Sequence, residues 1–240
     1  MRIAIVENTR VTHHGQVGVA LHEAGALIDI YRPYQGQPLP LGTSGHDGLV
    51  VFGGEQSALD DALHPYLPGL ARLMAAFSVA DKAVLGICLG SQVLARGLGA
   101  TNLLGAAPEF GWCDVALTAA AADDPVLAGL PAAFPIFQWH SDSFTLPPGA
   151  VQLASSGVAA QQAFRAGRAT YGFQFHFEAN RAVVADWVRR FPDLVEGNEA
   201  GFAERLADRA AREGVIADAA GLAIARAWVG VIASRYSEHS

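Results

Sequence analysis

The sequence predicts an α/β protein with a mostly parallel central sheet flanked by helices, an antiparallel extension and a C-terminal helical annex. Three observations predict it. As far as Leu98, short continuous apolar runs alternate with segments of helical period, the pattern of parallel strands covered on both faces. From Trp112 to His176 the chain changes to short strand-like runs parted by Pro and Gly turns, which reads as a set of hairpins. From Arg181 onward the pattern is helical, with Phe202, Leu206 and Ala210 on one stripe.

Each element has its own signal. Ile3–Glu7 is a buried strand by its unbroken apolar run. Val17, Leu21 and Ala24 mark a helix that Gly25 closes. Leu27–Tyr31 is a second strand, and Pro33 to Gly48, with its prolines and glycines, is a loop. Leu49–Phe52 is a third strand, stopped by Gly53-Gly54. A helix near Tyr66–Ala80 leads to the strand Ala83–Ile87, which runs with almost no gap into the helical pattern of Cys88–Leu98. Val115–Ala119, Ala133–Phe137, Val151–Ser155, Gln161–Phe164 and Thr170–Phe175 are the extension's strands, with Pro147-Pro148-Gly149 among its turns.

The composition bounds the function. The 240 residues are 51% hydrophobic and 16% charged, enough apolar material for a real core and not a disordered chain. A net charge of −7 argues against nucleic acid or an anionic membrane as a partner, since both call for basic surface. Two cysteines do not make a disulfide framework. Met1-Arg2 leads directly into Ile3–Val6, too short for the core of a secretory signal. The apolar stretch Ile216–Ala233 contains Asp218 and Arg226 and reads as a buried or interfacial helix before a membrane span. The expected location is cytoplasmic.

Chemistry concentrates in two places. Gly86-Ile87-Cys88-Leu89-Gly90 has the form of a nucleophile elbow with Cys in the usual Ser position. Such a turn sets the sulfur at a helix N-terminus, where backbone amides and the dipole favour thiolate. It also points the Leu89 amide to where an oxyanion would form. The second place is Phe173-Gln174-Phe175-His176-Phe177-Glu178, where period-two spacing puts His176 and Glu178 on one side of an extended segment. An imidazole can take the thiol proton and return it to a leaving amine, while a carboxylate fixes the tautomer and stabilises the imidazolium. Cys113 lacks such neighbours and reads as core packing. His13, His14 and His22 have no nearby cysteine or carboxylate pair to complete a metal site and read as surface residues. Arg165, Arg168, Arg189 and Arg190 read as a solvated face.

These motifs, Gly-Ile-Cys-Leu-Gly-Ser-Gln followed by Gly-Phe-Gln-Phe-His-Phe-Glu, resemble the class I glutamine amidotransferase family, including the amidotransferase domain of GMP synthase. The resemblance covers about residues 1–190. It implies a flavodoxin-like arrangement of the parallel part and a Cys88-His176-Glu178 triad acting on the side-chain amide of glutamine. It also implies that Gly54, in Gly53-Gly54-Glu55-Gln56-Ser57, is the second oxyanion donor beside Leu89. By the same likeness Gln92 contacts substrate, and His140, Ser141 and Asp142, in Trp139-His140-Ser141-Asp142-Ser143-Phe144, lie against its amino-acid end. Pro108-Glu109-Phe110-Gly111-Trp112 is similar to the family's Glu-x-Gly-Trp segment. One departure is Glu55, where many members have proline.

The expected organisation is an amidotransferase-like domain over residues 1–192, with 193–240 a helical extension of the same unit. After Asn198 only about forty residues remain, too few for a ligase domain of typical size, so any acceptor for ammonia would be a separate synthase subunit. No metal or organic cofactor is expected. Three functions stay open: a glutaminase or amidotransferase subunit supplying ammonia, a hydrolase of another γ-glutamyl compound such as an amine or peptide, and a non-catalytic binding protein on the same scaffold.

Overall fold

The computed structural model describes residues 1–237. The strands are β1 (Arg2–Val6), β2 (Leu27–Tyr31), β3 (Gly48–Val51), β4 (Ala83–Ile87), β5 (Asn102–Leu103), β6 (Glu109–Leu117), β7 (Ala133–His140), β8 (Ser143–Phe144), β9 (Val151–Ser155), β10 (Ala163–Ala166) and β11 (Thr170–Phe173). The helices are α1 (Gly15–Glu23), α2 (Leu67–Val79), α3 (Leu89–Gly97), α4 (Arg181–Arg190), α5 (Pro192–Asn198), α6 (Phe202–Arg209) and α7 (Val215–Ser237).

Nine strands form one sheet in the order β2-β1-β3-β4-β11-β10-β9-β6-β7, and β5 pairs with β8 beside it. From β2 to β11 every pairing is parallel. From β11 to β7 every pairing is antiparallel. The change of direction falls next to β4, the strand that delivers Cys88.

Alternate residues of a strand face opposite sides, and the core divides accordingly. Ala4, Val6, Val51 and Val84 pack under α2 and α3 through Leu70, Met74, Val93 and Leu94. Ile3, Ile5, Val50, Leu85 and Ile87 belong to the opposite core with α1, α4 and α7. This two-sided burial is why β1, β3 and β4 read as unbroken apolar runs.

The segment Phe202–Ser234 is long and apolar enough to cross a membrane, yet half of its most apolar window is buried inside the fold. Helix α7 lies against α1 and β7, with Ile224, Ala225, Trp228 and Ile232 in the core. Packing against the sheet accounts for its composition.

The extension departs from the sequence reading in detail. Strand β6 begins at Glu109, six residues before the expected Val115. Gly111, at φ +84°, disguises the start as a turn. The Ala-rich run after Leu117 is a short 3₁₀ segment, Ala119–Asp123. Strand β11 ends at Phe173, so His176 and Glu178 lie just beyond the strand, in a bend and turn. Although β7 is the last strand in the sheet order, the His176 amide donates to Phe137 O at 2.8 Å. The extension therefore curls back over the end of β11.

Candidate active site

The β4–α3 junction is as abrupt as the sequence suggests. Cys88 has φ 52° and ψ −111° and is the N-cap of α3. A non-glycine residue in this region stores strain, and two anchors hold it there. The Cys88 amide donates to Phe173 O of β11 at 2.8 Å, and its carbonyl accepts from Ser91 Oγ at 2.7 Å. The flanking glycines are required by close approach. A Cβ on Gly86 would overlap the Gly90 carbonyl, and one on Gly90 would overlap the Val51 carbonyl. Leu89 opens the helix, so its amide is among those without an intrahelical acceptor.

His176 lies between the other two members of the expected triad. Its Nδ1 is 2.8 Å from Glu178 Oε1, and Cys88 is its neighbour across Gly53. All three residues are buried. Burial alone would lower the imidazole pKa, but the charge of Glu178 and the hydrogen bond to it, with Cys88 alongside, outweigh it and hold His176 well above its ordinary range. The arrangement favours the charged imidazolium. Gly53 borders both partners, because a Cβ there would sit 3.2 Å from His176 Cε1 and 3.4 Å from Cys88 Cβ.

The loop after β3 is held from below. Asn8 Nδ2 donates to Phe52 O at 2.8 Å, and Gln56 Nε2 donates to Asn8 O at 2.7 Å. Gly54 packs against Leu89, the other expected oxyanion donor, and a Cβ on Gly54 would come within 3.2 Å of Leu89 Cδ2. Glu55 is exposed at the rim of the cleft.

The other expected contact residues line the same cleft, in different states of engagement. Gln92 is buried, with Nε2 3.2 Å from Gln174 Oε1 and 3.4 Å from Asp142 O. Asp142 accepts the Gly105 amide at 2.8 Å, and Ser141 is exposed. His140 is almost wholly buried and already engaged, with Nε2 3.1 Å from Gln138 Oε1 and 3.4 Å from Glu109 Oε2. Glu109 in turn accepts from Gln162 Nε2 at 2.6 Å and Ser156 Oγ at 2.9 Å. Beneath His140 there is thus a buried polar network, of which the sequence marks only Glu109.

Three more groups around the triad make contacts that the sequence does not signal. Trp139 O faces the Cys88 thiol at 3.7 Å. Trp187 of α4 stands edge-on to the His176 ring, 5.2 Å between centroids. At helical spacing it reads as core, with no signal of a site. Phe177, between His176 and Glu178, has its carbonyl against Gly221 of α7, where a Cβ would overlap it. His13 lines the cleft but is paired with Asp186, and His14 with Glu7, each at 2.9 Å. Among the described residues no three His, Cys, Asp or Glu side chains converge as a metal site would need.

The sequence profile of the family described as glutamine amidotransferase class-I matches residues 18–185. The chain belongs to the class I glutamine amidotransferases. It is 33% identical to the glutamine amidotransferase-like protein YfeJ of Salmonella typhimurium, over 74% of this chain and 76% of that one. It is 29% identical to a glutamine-hydrolysing GMP synthase subunit of Methanoregula boonei, over 72% and 89%. With gamma-glutamyl peptidase 3 of Arabidopsis thaliana it shares 30% identity, over 70% and 69%. The match covers only 23% of a whole GMP synthase, that of Parafrankia sp.. Among solved structures, a glutamine amidotransferase from Methylobacillus flagellatus superposes with a TM-score of 0.85 at 26% identity, covering 96% of this chain and 94% of that one. This class I amidotransferase therefore shares its fold with that protein over almost its whole length, C-terminal helices included.

Proposed function

We propose that this protein hydrolyses γ-glutamyl amide bonds through a thioester on Cys88, with glutamine as the simplest substrate and a synthase on a separate chain as the acceptor of its ammonia. One observation carries the reading: His176 is held between Cys88 and Glu178 at a strained strand-to-helix turn that opens on a cleft. In the proposed reaction the Cys88 thiolate attacks the γ-carbonyl, and the Leu89 and Gly54 amides stabilise the oxyanion. The C–N bond breaks as His176 gives its proton to the departing nitrogen. Water then attacks the thioester, losing a proton to His176, and releases glutamate and the thiolate. The chemistry needs no metal or organic cofactor. It does need a reduced thiol, in keeping with two free cysteines and a cytoplasmic setting.

The Methanoregula boonei relative supports the separate synthase, as a chain of similar extent whose name assigns it to GMP synthase. The second reading, a hydrolase of larger γ-glutamyl amides, is favoured by the size of the cleft, about 1070 Å³. The test is ammonia or amine release from glutamine and several γ-glutamyl amides, by purified protein and in native lysate at matched concentration. Weak glutamine turnover that lysate stimulates supports the synthase partner. Full turnover without stimulation rejects an obligate one. No turnover of any amide, with Cys88 unreactive, would reject hydrolysis and leave a binding protein.

A further inference from the structure

We infer that the cleft carries a leaving-group subsite for a bulky apolar or aromatic amine, formed by Trp139, Trp187, Phe191 and Leu194. The inference rests on the γ-glutamyl hydrolase chemistry proposed above and names the class of substrate it serves. The leaving nitrogen takes its proton from His176, so whatever is attached to that nitrogen lies on the His176 side of Cys88. That side is walled by rings. Trp187 stands 5.2 Å from His176, Trp139 is 5.9 Å from Trp187, and Phe191 is 6.0 Å from Trp139, each pair close to edge-on. Leu194, from the next helix, continues the wall toward solvent and is 59% exposed.

Ammonia has no use for such a surface. A cleft of about 1070 Å³ is at the upper end of the roughly 300–1,000 Å³ that holds drug-sized ligands, and glutamine is far smaller. The wall is also continuous with the catalytic centre, since the Trp139 carbonyl faces the Cys88 thiol. Atoms balance without a further reactant. The amide and one water give glutamate and the free amine, with the proton passing through His176.

The experiment compares purified protein on γ-glutamyl-phenethylamide, γ-glutamyl-ethylamide and glutamine. The two alkylamides release nitrogens of similar basicity, so their ratio reads the wall rather than the bond. Ring burial and aromatic contact are expected to raise kcat/KM for the phenethylamide over the ethylamide by about tenfold or more. Leu194→Asp, an exposed position whose change spares the core, is expected to cut that ratio by several-fold. Equal rates for the two alkylamides, or a ratio unmoved by Leu194→Asp, overturn the subsite. Glutamine cleaved while both alkylamides are ignored overturns it too, and leaves the glutaminase reading standing. Failure to cleave any of the three, with Cys88 unreactive toward electrophiles, rejects the hydrolase chemistry itself.

Discussion

His176 Nδ1 and Glu178 Oε1 stand 2.8 Å apart, with a single residue between them and a different element behind each. The His176 amide is tied to β7 through Phe137 O. The Glu178 carbonyl accepts the Gln16 amide at the start of α1, at 2.9 Å. The pair is thus fixed by two separate elements, and its geometry does not depend on an extended strand.

The charge of that carboxylate should be visible in the pH profile. His176 has a folded pKa raised well above about 6.5, because Glu178 and Cys88 outweigh burial. The proton it would donate in the proposed reaction is therefore present through neutral pH and is lost as pH rises through the raised value. The same sign holds for stability: the pair's contribution is complete below the unfolded pKa and disappears over that higher window. Glu178→Gln removes one of the raising charges and leaves burial, so the alkaline limb of kcat should move to lower pH. Turnover should fall, by roughly 10⁴-fold if serine hydrolases are a guide. An unmoved limb in a pH–rate series would refute the assignment. His176→Ala should nearly abolish turnover.

The two cysteines should respond differently to electrophiles. Cys113 is held as a thiol, its pKa pushed up to about 11 by burial, with Glu109 adding to the rise. Cys88 sits beside an imidazolium at a helix N-terminus. A glutamine-like electrophile near pH 7 should modify Cys88 and spare Cys113, as read by peptide mass mapping. Equal modification would count against the elbow.

Gly221→Ala should reverse the usual helix rule. In an exposed helix interior Ala is about 1 kcal/mol better than Gly. Here the new Cβ would collide with the Phe177 carbonyl, so a cost of about 1–3 kcal/mol is expected. Turnover should fall with it, because Phe177 joins His176 to Glu178. Urea denaturation and a rate assay on the same sample would check both.

Asp124 is a buried carboxylate that accepts from Arg165 Nε at 2.8 Å and from Tyr171 Oη at 3.3 Å. Asp124→Ala strands the buried Tyr171 hydroxyl and removes the partner of Arg165 Nε, and should cost about 1–3 kcal/mol, with little effect on Cys88 labelling in the folded fraction. A denaturation midpoint unchanged from wild type would show the network to be dispensable.

The parallel half and the elbow are legible because their signals are local. Ile3–Val6 and Ala83–Ile87 are buried on both faces, and such strands spell themselves as apolar runs. Cys88 is announced by glycines that the close approach of α3, β3 and β4 demands. What stays hidden depends on partners far along the chain. Glu109 meets Gln162 and Ser156 about fifty residues away, and Arg165, which reads as solvated, pairs with buried Asp124. Trp187 is an aromatic on an amphipathic helix, and only tertiary packing sets it beside His176. The period-two argument for His176 and Glu178 reaches the right pair by an incomplete route, since β11 stops short of both.

The curl that brings β7 over the end of β11 has a kinetic consequence. Cys88, Trp139 and His176 come from three stretches of chain, each separated from the next by a long loop that must close before they meet. Strands β1 to β4 can pair, and α2 and α3 can dock, without any of those closures around the site. Non-local contacts of this kind form slowly, so the site should be the last part of the molecule to assemble. In refolding from denaturant, helical circular dichroism should recover first, and selective reactivity at Cys88 should appear only in a later phase.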